Sequence, residues 1–135
     1  MKERGAQAQV RQIAILPVEV PPGVVVEVDE HLFTRVIENI LDNALRYTPP
    51  SGRIEARISR AAGRIELRLG NTGPAIAPED HAKIFEKFGQ SSVGGRMNLG
   101  LGLYFGRLAM EAHGGTIWVE SSPSLPTIFT LTLPA

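Results

Sequence analysis

The chain has no cysteine, which excludes a disulfide framework and thiolate metal sites and suits a reducing compartment. It has no apolar run approaching the roughly 18–20 residues that carry a helix across a bilayer. Its first residues, MKERGAQAQVRQ, lack the apolar core of a signal peptide. It has no excess of either charge: 14 Lys and Arg offset 14 Asp and Glu, so neither nucleic acid nor an acidic membrane surface is indicated as a partner. The expectation is a cytoplasmic domain without a membrane segment, one piece of a longer protein.

Glycine and proline, by contrast, are plentiful: 14 and 10 in 135 residues. They cluster in Gly70–Pro78, Gly89–Gly102 and Ser121–Pro126, and so mark loops rather than disorder. The length predicts one domain, and a 43% hydrophobic fraction supplies a core for it. Residues 1–12 read as a linker or the end of an upstream helix, and 13–135 as a single domain.

Two short strands are predicted at Ile13–Pro17 and Gly23–Asp29. Asp29 is a suitable N-cap for a helix from Glu30 to Tyr47, stopped by Thr48-Pro49-Pro50. At about 100° per residue, Phe33, Val36, Ile37, Ile40, Leu41, Ala44 and Leu45 form one apolar arc. Arg35, Glu38 and Asp42 face away, and Asn39, Asn43, Arg46 and Tyr47 run along one border of the arc, where helices line clefts. RIEARIS (Arg53–Ser59) and RIELRLG (Arg64–Gly70) alternate with period two, joined by RAAG, and predict a hairpin with one covered and one wet face. A short helix is expected from Pro78 through PEDHAKIFEKF, and a second buried helix around Leu103–Ala109, closed by Gly114-Gly115. TIWVES and TIFTLTLP form a final hairpin. Antiparallel strand pairs with helices gathered on one face make a two-layer α/β (α+β) sandwich.

Four segments carry candidate chemistry. Asn39 and Asn43 are four apart, one above the other on a helix. Carboxamides are poor helix formers and poor core residues, so the pair either satisfies neighbouring backbone or holds a ligand. An amide oxygen suits a hard cation such as Mg²⁺. The second segment is the turn NTGPA after a strand, and the third is KIFEKF. The fourth, GGRMNLGLG, runs into a helix start, where free N–H groups bind phosphate and Gly100 and Gly102 permit close approach, or where glycine serves only packing. Lys83, Lys87 and Arg96 are nearby cations; His31, His81 and His113 lack metal-ligand spacing and read as structural.

In order and spacing these segments resemble the catalytic and ATP-binding domain of bacterial sensor histidine kinases. That domain shares its ATPase superfamily, the Bergerat fold, with gyrase B, the ninety-kilodalton heat-shock chaperones and the MutL mismatch-repair proteins. ENILDNALRYTPP looks like the asparagine box, NTGPAIAPEDHAKIFEKF like the first glycine box and phenylalanine box, and NLGLGLYFGRLAMEAHGGTIWVES like the second glycine box with the helix and strand behind it. The resemblance implies a mixed, largely antiparallel sheet of about five or more strands under three helices. It implies Mg²⁺ on Asn43 with Asn39 assisting, Arg46 on phosphate and Tyr47 beside the nucleotide. Asn71 would read the adenine of ATP, with Gly73, Ala75 and Ile76 around it and Phe85 and Phe88 in support. Gly89–Leu99 would be the lid, Leu99–Leu103 (Gly100, Leu101 and Gly102 between them) the phosphate support, and Lys87 and Arg96 catalytic phosphate contacts.

The implied activity is supply of the ATP γ-phosphate to a histidine on a separate dimerisation domain, and thence to a response regulator. This piece alone would be monomeric and at most a slow ATPase. The alternatives are a non-catalytic, weakly nucleotide-binding regulatory module and a serine kinase of the anti-sigma type. Two positions depart from the family pattern. Asn71 stands where aspartate is usual, predicting weaker adenine binding and relaxed discrimination against guanine. Ala75 stands where glycine is usual, at a cost of roughly 1–2 kcal/mol if that backbone needs positive φ.

Overall fold

Asp29 begins the first helix, α1 (Glu30–Tyr47), by accepting the Leu32 N–H on Oδ1 at 3.0 Å. This is seen in a computed structural model, which describes residues 14–15, 28–86 and 102–134. The predicted arc is the buried face: Val36, Ile40, Leu41, Ala44 and Leu45 are buried, with Phe33 and Ile37 packed at the edge of the same core. Each fully buried aliphatic contributes about 1.5–3 kcal/mol. That outweighs the weak helix preference of the two asparagines, at most about 0.7 kcal/mol each. The helix ends where Thr48 donates both its N–H (2.9 Å) and its hydroxyl (2.6 Å) to the Ala44 carbonyl, ahead of Pro49.

Five strands form one sheet in the order β1-β2-β3-β5-β4: β1 (Ala14–Ile15), β2 (Arg53–Ala61), β3 (Arg64–Asn71), β4 (Thr116–Glu120) and β5 (Thr127–Pro134). β1 pairs with β2 in parallel and every other pair is antiparallel. The β2–β3 hairpin runs longer than RAAG suggested, because Ala61 pairs with Arg64 across a two-residue turn. Ala62 (φ 50) and Gly63 (φ 75) are both left-handed, the turn whose twist matches the strands. The predicted strand at Gly23–Asp29 lies almost wholly outside the described residues.

The second helix, α2, spans Gly102–Ala112 and ends on glycine as expected. Gly114 (φ 74) donates to the Glu111 carbonyl and Gly115 to that of Met110, a Schellman closure. The segment read as a short third helix is two single 3-10 turns, Pro78–Asp80 and Lys83–Phe85. Its apolar anchors, Ile84 and Phe85, are adjacent, and one tight turn buries both; Asp80, His81 and Ala82 supply no stripe to extend. Phe85 meets Phe129 edge-on at 6.2 Å.

Both helices and these turns cover one sheet face, and the core lies between them: Val36, Ile40 and Met110 against Ile54, Leu69, Phe129 and Leu131. The other face is less wet than strand alternation implied. Thr130 is 0% exposed there. Glu120 Oε1 accepts from its hydroxyl and from Arg68 at 2.8 Å, while Arg64 and Thr116 reach Thr132. Long polar side chains roof β5, leaving no buried side-chain nitrogen or oxygen unsatisfied among the described residues.

Candidate functional site

Three segments distant in sequence converge on one border of α1. The first is the border itself. Asn39, Asn43 and Tyr47 are half-buried and Arg46 is exposed, as the helical projection required. The second is the start of α2: Asn39 Nδ2 donates to the Gly102 carbonyl at 3.2 Å, a bond across 63 residues. A Cβ at Gly102 would lie 3.5 Å from Asn39 Cγ, so the helix start sits directly beside the amide. The third is the turn after β3. Gly73 has φ 138, and a Cβ there would stand 2.6 Å from the Tyr47 carbonyl oxygen, so the turn is wedged against the last residue of α1. Only glycine meets both demands at this point.

The two asparagines are used differently. Asn39 has a structural bond through its nitrogen and keeps its oxygen. The Asn43 side chain makes no hydrogen bond among the described residues and is nonetheless half-buried. A polar group held at a cleft border without a protein partner is suited to a ligand. Its amide oxygen fits Mg²⁺, which takes oxygen donors and retains several waters, so one protein ligand suffices beside phosphate oxygens. No group of three or more His, Cys, Asp or Glu with metal-site geometry occurs among the described residues.

At the other end of the site, Asn71 is the last residue of β3 and is 3% exposed. Its Nδ2 donates to the Thr72 carbonyl at 2.9 Å. One of its two amide hydrogens is thereby committed, and turning the amide over would break that bond. Ala75 is exposed and is not among the positive-φ residues, so it carries no backbone strain; the loop has accommodated the missing glycine. Ile76 packs against the core, and its carbonyl meets His81 Nε2 at 3.0 Å. Leu103 also joins the core edge. Lys83 is exposed. Lys87, Phe88, Arg96, Leu99, Gly100 and Leu101, with the Gly89–Leu99 loop, lie outside the described residues.

Three contributors are not evident in the sequence. Thr48, Gly52 and Thr72 form the seam between the end of α1 and the NTG turn: a Cβ at Gly52 would lie 2.5 Å from Thr72 Oγ1 and 2.6 Å from Thr48 Cγ2. The only signal is a glycine immediately before a strand in PPSG, which reads as an ordinary turn. His113 is structural, as expected. Its Nε2 takes the Asp29 N–H at 2.9 Å while Nδ1 meets the Ala109 carbonyl at 2.7 Å, tying the end of α2 to the start of α1.

Comparison with known proteins places the chain in a family. The sequence pattern of the family described as "Histidine kinase-, DNA gyrase B-, and HSP90-like ATPase" matches residues 28–135. The chain is 37% identical, over 99% of its length, to the adaptive-response sensory kinase SasA of Gloeothece citriformis, and covers 35% of that protein. It is 36% identical over 88% of its length to SasA of Rippkaea orientalis, covering 30% of it. The chain thus spans about a third of the length of these curated relatives. Among solved structures, a mycobacterial sensor histidine kinase, MprB, superposes with a TM-score of 0.85 at 29% identity, covering 98% of this chain and 91% of that one. The catalytic domain of histidine kinase ThkA gives 0.84 at 25%, with 98% and 86% coverage.

Proposed function

The chain belongs to the histidine kinase-, DNA gyrase B-, and HSP90-like ATPase family, and from that membership we propose that it binds Mg-ATP and phosphorylates a histidine on a separate dimerisation domain of the same protein. In that transfer the bond between the γ-phosphorus and the ADP oxygen breaks, a phosphorus–nitrogen bond forms at the imidazole, and the imidazole gives up a proton. A response regulator then takes the phosphoryl group. The domain works in the cytoplasm and is monomeric by itself; among the described residues no helix is long and apolar enough to cross a membrane.

The observation that carries the reading is the Asn43 carboxamide, half-buried at the convergence of α1, the α2 start and the NTG turn, with no hydrogen-bond partner among the described residues. Asn43 would hold Mg²⁺ by its amide oxygen, and the ion would neutralise phosphate charge when bound. Asn39 holds the helix start whose N–H groups favour phosphate, and Arg46, exposed on the same border, offers a cation. Asn71 presents its oxygen to the exocyclic amine of adenine. One solved structure similar to this chain at 27% identity, full-length ShkA in complex with AMPPNP, supports nucleotide chemistry.

The test is calorimetric titration of ATP with Mg²⁺ and with EDTA, followed by phosphoryl transfer to the dimerisation domain of the intact protein supplied in trans. Binding that needs Mg²⁺, with label appearing on the dimerisation domain and not on this chain, is the expected result. No binding at millimolar Mg-ATP refutes the reading, and binding without transfer to any histidine domain favours the regulatory-module alternative.

A further inference from the structure

We propose that Thr72 is a positioning residue for base selection: its carbonyl fixes the orientation of the Asn71 carboxamide so that the oxygen faces the nucleotide. The proposal rests on the nucleotide-binding reading above and adds to it how this chain selects a base without a carboxylate. Asn71 is held on both sides in the sheet, opposite Ile54 and Thr127. Its one side-chain hydrogen bond is from Nδ2 to the Thr72 carbonyl, and no buried side-chain oxygen or nitrogen among the described residues lacks a partner. Oδ1, having no partner among the described residues, is therefore not fully enclosed. Turning the amide over would set Oδ1 against the Thr72 oxygen, two acceptors in contact, with the donor left facing outward.

The lock holds only if the Thr72 carbonyl cannot swing away, and its surroundings prevent that. The Thr72 N–H donates to the Arg53 carbonyl at 3.1 Å, and Thr72 Oγ1 accepts the Arg53 N–H at 2.9 Å. The residue is thus clipped to one backbone unit of β2 from two sides. Gly52 leaves the slot into which the hydroxyl fits: a Cβ there would meet Thr72 Oγ1 at 2.5 Å and the Pro49 oxygen at 2.9 Å. The following residue, Gly73, is wedged under the Tyr47 carbonyl. The turn has no slack in either direction along the chain. The base end consequently presents its acceptor in one fixed orientation. It accepts a purine bearing an exocyclic amine at that position and opposes one bearing a carbonyl, whose oxygen would face Oδ1.

Three ligands separate the possibilities: ATP, GTP and Mg-tripolyphosphate, the last carrying no base. The wild-type chain is expected to bind ATP about tenfold or more tightly than GTP, one hydrogen bond gained against an acceptor–acceptor contact. Thr72→Val, which keeps the shape and deletes the hydroxyl, and Gly52→Ala, which pushes a methyl into the slot, both lower the ATP-to-GTP ratio several-fold. Tripolyphosphate affinity stays within about twofold of wild type, since the phosphate end is a separate set of contacts. Thr72→Ser, which retains the hydroxyl, keeps the wild-type ratio. Equal ATP and GTP affinity in the wild type overturns the proposal while leaving nucleotide binding intact. So does a Thr72→Val chain that loses ATP and tripolyphosphate in parallel at constant selectivity, the mark of a merely structural role. Failure of all three ligands to bind the wild type overturns the nucleotide-binding reading itself, and this proposal with it. The wild-type ratio does not depend on whether either variant folds.

Discussion

Replacing Asn43 by alanine distinguishes a structural amide from a ligand-holding one, because the two roles predict opposite signs for the stability of the unliganded chain. The Asn43 side chain forms no hydrogen bond among the described residues, so nothing is broken by its removal. Alanine is the better helix former in the interior of α1 by about 0.6 kcal/mol. With an unfolding entropy of about 2.1 cal/mol/K per residue, 135 residues give about 0.28 kcal/mol/K, so the unliganded Tm should rise by about 2 °C. Saturating Mg-ATP has the opposite consequence. At 100 times Kd a ligand stabilises by about 2.7 kcal/mol, a shift of about 10 °C in the wild type that Asn43→Ala should largely lose. Asn39→Ala is the internal control. It forfeits the bond to the Gly102 carbonyl, about 1 kcal/mol, and its unliganded Tm should lie about 3–4 °C below that of Asn43→Ala. Thermal melts of the three chains without ligand, with ATP and EDTA, and with Mg-ATP supply every number. An unliganded Tm for Asn43→Ala more than about 3 °C below wild type would show that the amide was structural, and an undiminished Mg-ATP shift would remove it from the site.

Gly102→Ala should leave the unliganded Tm unchanged or slightly raised, because the added Cβ meets only Asn39 atoms at 3.5–3.7 Å, yet weaken Mg-ATP binding by about an order of magnitude in calorimetry if the phosphates approach that backbone. Ala62→Asn should stabilise the chain by about 1 kcal/mol in urea titration, since Ala62 is held at φ 50 in the hairpin turn, a region asparagine tolerates. His113→Ala should cost about 1 kcal/mol by the same titration through loss of its bonds to Asp29 and Ala109, with nucleotide affinity unaffected.

What was legible in the sequence was whatever short-range physics decides. α1 could be bounded to the residue because its cap, its apolar arc and its Pro-Pro stop all lie within one segment. The β2–β3 hairpin was equally plain, since alternation and a glycine turn are local. The two 3-10 turns were not, because Pro78 with acidic neighbours opens either kind of helix and the choice falls to how Ile84 and Phe85 reach the core. The burial of Thr130 was invisible for a different reason: its roof, Arg68 with Glu120, spans 52 residues and is formed only by the strand order. At the candidate site, Asn39, Asn43, Arg46 and Tyr47 stood out by their place on the edge of the arc. Thr72 and Gly52 were missed because their contribution is shape, and a threonine and a glycine in a turn carry no chemical signature.

The construction of the site also explains where the chain departs from its family. A helix advances 1.5 Å per residue, so Asn39 and Tyr47 are about 12 Å apart on one rigid element. The phosphate end is registered to that element through the Asn39 bond to Gly102, and the base end through the contact of Gly73 with the Tyr47 carbonyl. Both registrations end on backbone, at the Gly102 carbonyl and at Gly73, and Thr72 is clipped to the backbone of Arg53. The side chains at 71 and 75 can therefore change without moving the two ends relative to each other. Ala75, exposed and unstrained, alters nothing in the frame. Asn71 alters only the charge of the acceptor and, through its nitrogen, supplies a bond to the turn that a carboxylate could not make. Substitution at the base end is thus tolerated by the same contacts that keep the phosphate end fixed, whereas a change at Gly52 or Gly73 disturbs the seam that registers the base end.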